Sequence, residues 1–210
     1  MNATLETLYL AQNLLTTWPD VPLPAGLVNF SIFGNRITAF NPAHPLPASL
    51  GYLDLSGNLL TAFAPDSTFI QGKDIFSLGL SAMPGLTSFS MPANTLVNMS
   101  SLNLAGSSIT TFNETNLPVV SQLYLSNMGL TQFTPTVVHS GTSYYDISGN
   151  NLNTAAVNAA LINLDSKSGS FDQINTRSVY LKQRVAAPPS GAGVTAKNNL
   201  ISRNWSIDTD

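Results

Sequence analysis

The chain contains no cysteine, which removes disulfides and thiolate metal sites at once. It is also short of charge. Lys and Arg number 8 and Asp and Glu 11 in 210 residues, 9% of the chain, against roughly 25% in an ordinary soluble domain. Asn, Ser and Thr supply the polarity instead. Phosphate binding needs concentrated Lys and Arg, so a nucleic-acid platform is excluded. No apolar run approaches the ~18 residues of a membrane span, so no membrane insertion is expected. Met1 is followed by polar residues and then by the first apolar phrase, so no signal peptide is read at the start. That fits synthesis in a cytoplasm, or a chain given without its export segment. There are two histidines, His44 and His139, nearly a hundred positions apart and without acidic neighbours. A metal pair is not expected from them. A Gly-x-Ser-x-Gly elbow, a phosphate-binding Gly-rich loop and a calcium nonapeptide repeat are all missing. The chain therefore reads as no enzyme, with no cofactor and no metal site.

What is present is a phrase that returns seven times, close to Leu-x-x-Leu-x-Leu-x-x-Asn-x-Leu-Thr-x-Phe. It is cleanest over Leu5–Trp18 and Leu50–Phe63. The phrases open at Leu5, Leu27, Leu50, Ile75, Met99, Val120 and Thr142, spaced 21 to 25 residues apart. Each contains a short alternating segment: Leu8-Tyr9-Leu10, Phe30-Ser31-Ile32, Leu53-Asp54-Leu55, Leu78-Gly79-Leu80, Leu102-Asn103-Leu104, Leu123-Tyr124-Leu125 and Tyr145-Asp146-Ile147. Period two predicts one strand per repeat with one buried face, and equal spacing predicts that the strands stack in parallel. Asn13, Asn35, Asn58 and Asn150 occupy a fixed slot after the strand, where an amide can satisfy backbone groups in the turn. The middle repeats depart from this, with Met83, Ser107 and Met128 in the slot, and a looser or differently hydrated turn is expected there. A second ladder closes the repeats at Trp18, Phe40, Phe63, Phe89, Phe112 and Phe133. It predicts a buried aromatic spine.

Proline marks the segments between phrases, at Pro19, Pro22, Pro24, Pro42, Pro45, Pro47, Pro92 and Pro135. It removes backbone donors and favours extended backbone over helix. After residue 155 the pattern stops. Ala155–Asp165 places Val157, Ala160, Leu161 and Leu164 on one helical face. Ser178–Lys182 reads as a strand, Thr195–Arg203 as a second helix after Pro188-Pro189, and Trp205–Ile207 as a last strand.

The repeated phrase resembles the leucine-rich repeat. That resemblance implies a horseshoe solenoid, with a parallel β-sheet on the concave side and a mostly irregular or extended convex side. Residues 1–155 form the seven repeats, and residues 156–210 form a small α/β C-terminal cap continuous with them. Without cysteine, the stapled caps of many extracellular animal members are ruled out. The tail resembles a module found behind such repeats in bacterial surface and phage-encoded proteins. The likeness is carried by Val157–Leu161, Ala187–Gly193 and Lys197–Trp205.

Two interaction surfaces are expected. The sequence places no capping element ahead of Leu8, Leu10 and Leu14, so the N-terminal edge is expected to meet a protein partner or another copy. The concave face alternates with the buried leucines and presents Tyr9, Tyr52, Asp54, Tyr124, Tyr144 and Asp146 among small polar residues. Ser77 and Gly79 open a gap in its middle. Tyrosine beside a carboxylate suits a protein or a glycan. Residues 1–150 hold two basic against seven acidic side chains, and residues 151–210 six against four. The leading expectation is a non-enzymatic structural part of a phage virion or bacterial surface assembly, docked through its first repeat. The alternative is a stand-alone adhesin-like module that binds a glycan or protein on the concave face.

Overall fold

A computed structural model describes residues 4–18, 21–40, 44–70, 73–92, 96–112, 117, 120–135, 142–168 and 177–210, with residues 68, 69, 73 and 96–98 by backbone alone. Its elements are β1 (Thr7–Tyr9), β2 (Asn29–Ser31), β3 (Tyr52–Asp54), β4 (Ala62–Phe63), α1 (Ser67–Ile70), β5 (Lys73–Asp74), β6 (Ser77–Gly79), β7 (Ser88–Phe89), β8 (Leu96–Asn103), β9 (Val120–Tyr124), β10 (Tyr144–Asp146), α2 (Thr154–Lys167), β11 (Arg177–Tyr180), α3 (Ala192–Ser202) and β12 (Trp205–Asp208). The main sheet runs β1-β2-β3-β6-β8-β9-β10-β11-β12, and β5 joins by pairing with β8. Neighbouring strands are parallel throughout.

Every alternating segment thus becomes a strand at the same height as the one before. The centres Leu8, Phe30, Leu53, Leu78, Leu102, Leu123, Tyr145 and Val179 are register partners in turn. All but Leu8 are buried. Burial of each such side chain contributes about 1.5–3 kcal/mol, and stacking makes one continuous core of them.

The turn after each strand repeats a backbone detail that the leucine pattern does not announce. The residue before the Asn slot is left-handed in all seven repeats: Gln12, Gly34, Gly57, Ala82, Gly106, Asn127 and Gly149 have φ between 53° and 72°. Glycine takes this conformation without cost, and an alanine or glutamine does not. The slot itself acts between repeats. Asn58 accepts from the Ile37 N–H and donates to the Ile32 and Leu55 carbonyls. Asn35 does the same one repeat earlier, on Leu15, Leu10 and Ile32. Asn150 accepts from the Met128, Gly129 and Leu130 N–H groups and donates to the Leu125 and Ile147 carbonyls. In the middle repeats Met83, Ser107 and Met128 fill the slot as buried side chains, and the turn at Met128 is still held by the Asn150 amide of the next repeat. The Ser107 hydroxyl has no hydrogen-bond partner among the described residues.

Among the described residues the segments between the strands of the repeats carry one helix, the single turn α1, and short paired strands. β4 pairs with β7, and β8 extends eight residues so that its first half meets β5. Extended segments held in register by their repeats find one another as strands. The aromatic ladder lies in these segments: Trp18 and Phe40 are 6.5 Å apart, Phe63 and Phe89 6.1 Å, and Phe89 and Phe112 6.2 Å between ring centroids.

Past the repeats, α2 buries Val157, Ala160, Leu161 and Leu164 and is N-capped by the Asn153 side chain, which accepts from the Ala156 N–H. The second helix begins at Ala192, three residues earlier than expected, because Gly191 turns the chain directly after Ser190. Asn158 of α2 accepts from the Ser190 N–H and donates to its hydroxyl, tying the two helices together. Arg203 adds an ion pair to Asp165, and the Arg177 guanidinium lies 5.3 Å from the Trp205 ring. Gln183 takes up the role of the slot asparagine: it accepts from the Leu152 N–H and donates to the Ile147 and Leu181 carbonyls.

Candidate functional site: the outer face of the sheet

The side chains that alternate with the buried centres form two rows across the sheet. One row is Thr7, Asn29, Tyr52, Ser77, Ser101, Gln122, Tyr144, Ser178 and Ser206. The other is Tyr9, Ser31, Asp54, Gly79, Asn103, Tyr124, Asp146, Tyr180 and Asp208. Neither row carries a lysine, arginine or histidine.

The tyrosines and aspartates gather into two groups. Toward the start, Tyr9 is 63% exposed on β1. Tyr52 donates its hydroxyl to Asp54 Oδ2 at 3.3 Å on β3. Burial, foremost, raises the Tyr52 phenol above its ordinary value, followed by the Asp54 charge, the hydrogen bond to Asp54, and Tyr9. The second group is tighter. Tyr124 on β9 and Tyr144 on β10 have ring centroids 4.9 Å apart, and Tyr144 and Tyr180 on β11 5.4 Å. Because Tyr144 stands in the first row and its neighbours in the second, the three rings zigzag across adjacent strands. Burial again leads in raising the Tyr144 phenol, followed by Asp146, Tyr180 and Tyr124.

Both aspartates have a local duty. Asp54 Oδ1 accepts from the Ser56 N–H at 3.0 Å, and Asp146 Oδ1 from the Ser148 N–H at 3.1 Å and its hydroxyl at 2.6 Å. Asn103 does the same for Ala105, at 3.0 Å. The second-row acidic or amide residue therefore closes the strand exit with one oxygen and offers its remaining polar atom to the face. The gap expected at Ser77 and Gly79 has a different meaning. A Cβ on Gly79 would stand 2.5 Å from Asp54 Oδ1 and 3.0 Å from Ser56 Oγ, so the missing side chain makes room for the Asp54 carboxylate.

Of the six face residues expected from sequence, the structure brings Tyr124, Tyr144 and Asp146 together, and Tyr52 with Asp54. Tyr9 stands two strands from Tyr52, near enough to act on its phenol. Tyr180 and Asp208 join this face beyond those six, although Ser178-Val179-Tyr180 alternates as the repeats do. Lys182 pairs with Asp208 at 2.8 Å, and that contact raises the lysine above its ordinary value. At the N-terminal edge Leu8 and Leu10 are half-buried against the core, whereas Leu14 is 71% exposed.

Among the described residues no group of three or more His, Cys, Asp or Glu could hold a metal ion. His44 is exposed, and His139 lies outside the described residues. Among the described residues no helix is long and apolar enough to cross a membrane.

No protein-family model matches the chain, and no curated protein is similar to it in sequence. Among solved structures it is similar to the functional domain of InlJ from Listeria monocytogenes, which includes a cysteine ladder. The identity is 17% and the TM-score 0.33, over 86% of this chain and 46% of that one. The chain thus spans about half the length of that domain.

Proposed function

We propose that this chain is a leucine-rich-repeat solenoid without catalytic activity, working as a recognition module on a phage virion or bacterial surface. Its outer sheet face is the binding surface. The observation that carries this reading is the run Tyr124, Tyr144 and Tyr180 on three successive strands, beside Asp146. Tyrosine provides rigid amphipathic contact area at low entropic cost, and a parallel sheet fixes its placement. A glycan or a protein both suit such an inventory. On an array carrying glycans and peptides, Tyr144→Ala is expected to weaken retention about tenfold or more at every spot the native chain holds. Its thermal midpoint should stay within a few degrees. Undiminished retention by a folded Tyr144→Ala chain would move the site off this face.

A second reading, docking through the N-terminal edge, draws on Leu14. A large exposed aliphatic side chain beside an edge strand suits contact with a protein partner or another copy. Leu14→Asp is the clean variant, since Leu8 and Leu10 also serve the core. Sedimentation over a range of concentrations should show association in the native chain and its loss in Leu14→Asp. A monomer at every concentration would end docking on another copy through this edge.

A further inference from the structure

We propose that the partner bound at Tyr124, Tyr144 and Tyr180 is a protein that inserts an arginine side chain, held against these rings with Asp146 as its counter-ion. This rests on the recognition reading of the same face and names what the face recognises.

Asp146 lies in the second row between Tyr124 and Tyr180, its register neighbours on either side, with Tyr144 two residues before it on its own strand. Three phenol rings therefore bound one carboxylate. Oδ1 is taken by Ser148, whereas among the described residues Oδ2 accepts no hydrogen bond and no basic side chain pairs with the group. Asp208, next but one along the same row, differs in having Lys182 against it. A half-buried, uncompensated carboxylate among aromatic rings is electronegative twice over. Its charge attracts a cation, and so do the π faces around it.

The ring geometry separates this from a sugar site. A pyranose needs a broad open ring face, but these rings stand 4.9 and 5.4 Å apart at 39° and 42° to one another, so each leaves only part of its face open. A planar guanidinium can lie along such a tilted array and still donate two hydrogen bonds to a carboxylate. The two rows agree, because neither carries a basic residue, and the nearby Lys182 is already paired with Asp208.

The test uses the full chain and small probes. Nα-acetyl-arginine amide is titrated while the tyrosine ring resonances are followed by NMR, at constant ionic strength. Nα-acetyl-citrulline amide, the uncharged isostere, and maltotriose serve as comparisons. The rings of Tyr124, Tyr144 and Tyr180 are expected to shift saturably with arginine and not with the other two. Asp146→Asn should weaken that binding about tenfold. This variant keeps the strand exit intact, since Asn103 already makes the same bond to Ala105 in its own repeat. Tyr144→Leu, which removes the ring but keeps an apolar side chain, should weaken it as well.

Equal shifts from citrulline, or an Asp146→Asn chain that binds arginine as tightly as the native one, would overturn the cation. Shifts from maltotriose alone would overturn it too, while keeping the face as a recognition surface. Rings that answer no probe also refute the arginine assignment, and the array result with Tyr144→Ala then judges the face separately.

Discussion

The first repeat and the C-terminal unit lie at opposite ends of one sheet and are held by different means. In the first repeat Asn13 donates, among the described residues, to Leu10 and Ala11 of its own turn, Leu14 is exposed, and Leu8 and Leu10 are half-buried. In the C-terminal unit two helices cross-tie through Asn158 and Arg203, Gln183 bonds the neighbouring repeat, and Leu161 and Leu164 are fully buried. The same kind of residue therefore has a different worth at each end. A slot amide stabilises a repeat chiefly through the preceding repeat it reaches, and the first repeat has none within the described residues. Stability in a stacked array belongs to interfaces as much as to units.

Removing the slot side chain tests this comparison most severely. Asn150→Ala leaves the N–H groups of Met128, Gly129 and Leu130 and two carbonyls without their partner in a buried site. A loss of about 3–5 kcal/mol is expected by urea unfolding. Asn13→Ala, partly solvated, should cost about 0.5–1 kcal/mol by the same measurement. Equal costs would mean that contact between repeats is not what gives the slot its value.

A smaller effect of opposite sign is expected in the turns. Ala82 adopts φ 53° where four other repeats place glycine. Ala82→Gly relieves the clash of Cβ with the carbonyl and should stabilise the chain by roughly 0.5–1 kcal/mol. Gly57→Ala should do the reverse, the more so because its Cβ would stand 3.3 Å from Gly34 backbone atoms. A destabilised Ala82→Gly chain would show that this turn is not strained.

The smallest expected effect concerns pH and compares the two tyrosine groups. The folded state raises the phenols of Tyr52 and Tyr144 above 10.0. It therefore holds those protons more tightly than the unfolded chain, and their contribution is complete below about pH 10 and lost as pH climbs through the raised values. Denaturant midpoints should fall as pH rises above 10.0, and Tyr52→Phe with Tyr144→Phe should flatten that fall relative to the native chain. An identical slope in both would place its cause elsewhere.

Much of this molecule is legible in its residues. The period-two segments mark the strands because a half-buried strand needs that alternation, and their equal spacing implies parallel stacking. The slot asparagines mark turns whose backbone groups need an amide. Val157, Ala160, Leu161 and Leu164 mark the helix beyond the repeats. The face is legible only where the phrase is intact. Ser178–Lys182 reads as a strand, but Tyr180 lies 34 positions beyond Asp146, outside the repeat spacing, so its register on β10 is a long-range pairing. Gln183 is hidden for the same reason, and its longer side chain also breaks the asparagine pattern.

The sequence by itself determined the repeat, its core positions, the turn chemistry and which side chains alternate outward, since these arise from local periodicity and residue type. Only the tertiary structure decided which of those side chains meet. It drew Tyr124, Tyr144 and Tyr180 around Asp146 and the Tyr52 hydroxyl onto Asp54, and it filled the space above Gly79 with the Asp54 carboxylate. Contacts between strands depend on the height at which each repeat sits on its neighbour, and that height is settled by the packing of the whole stack.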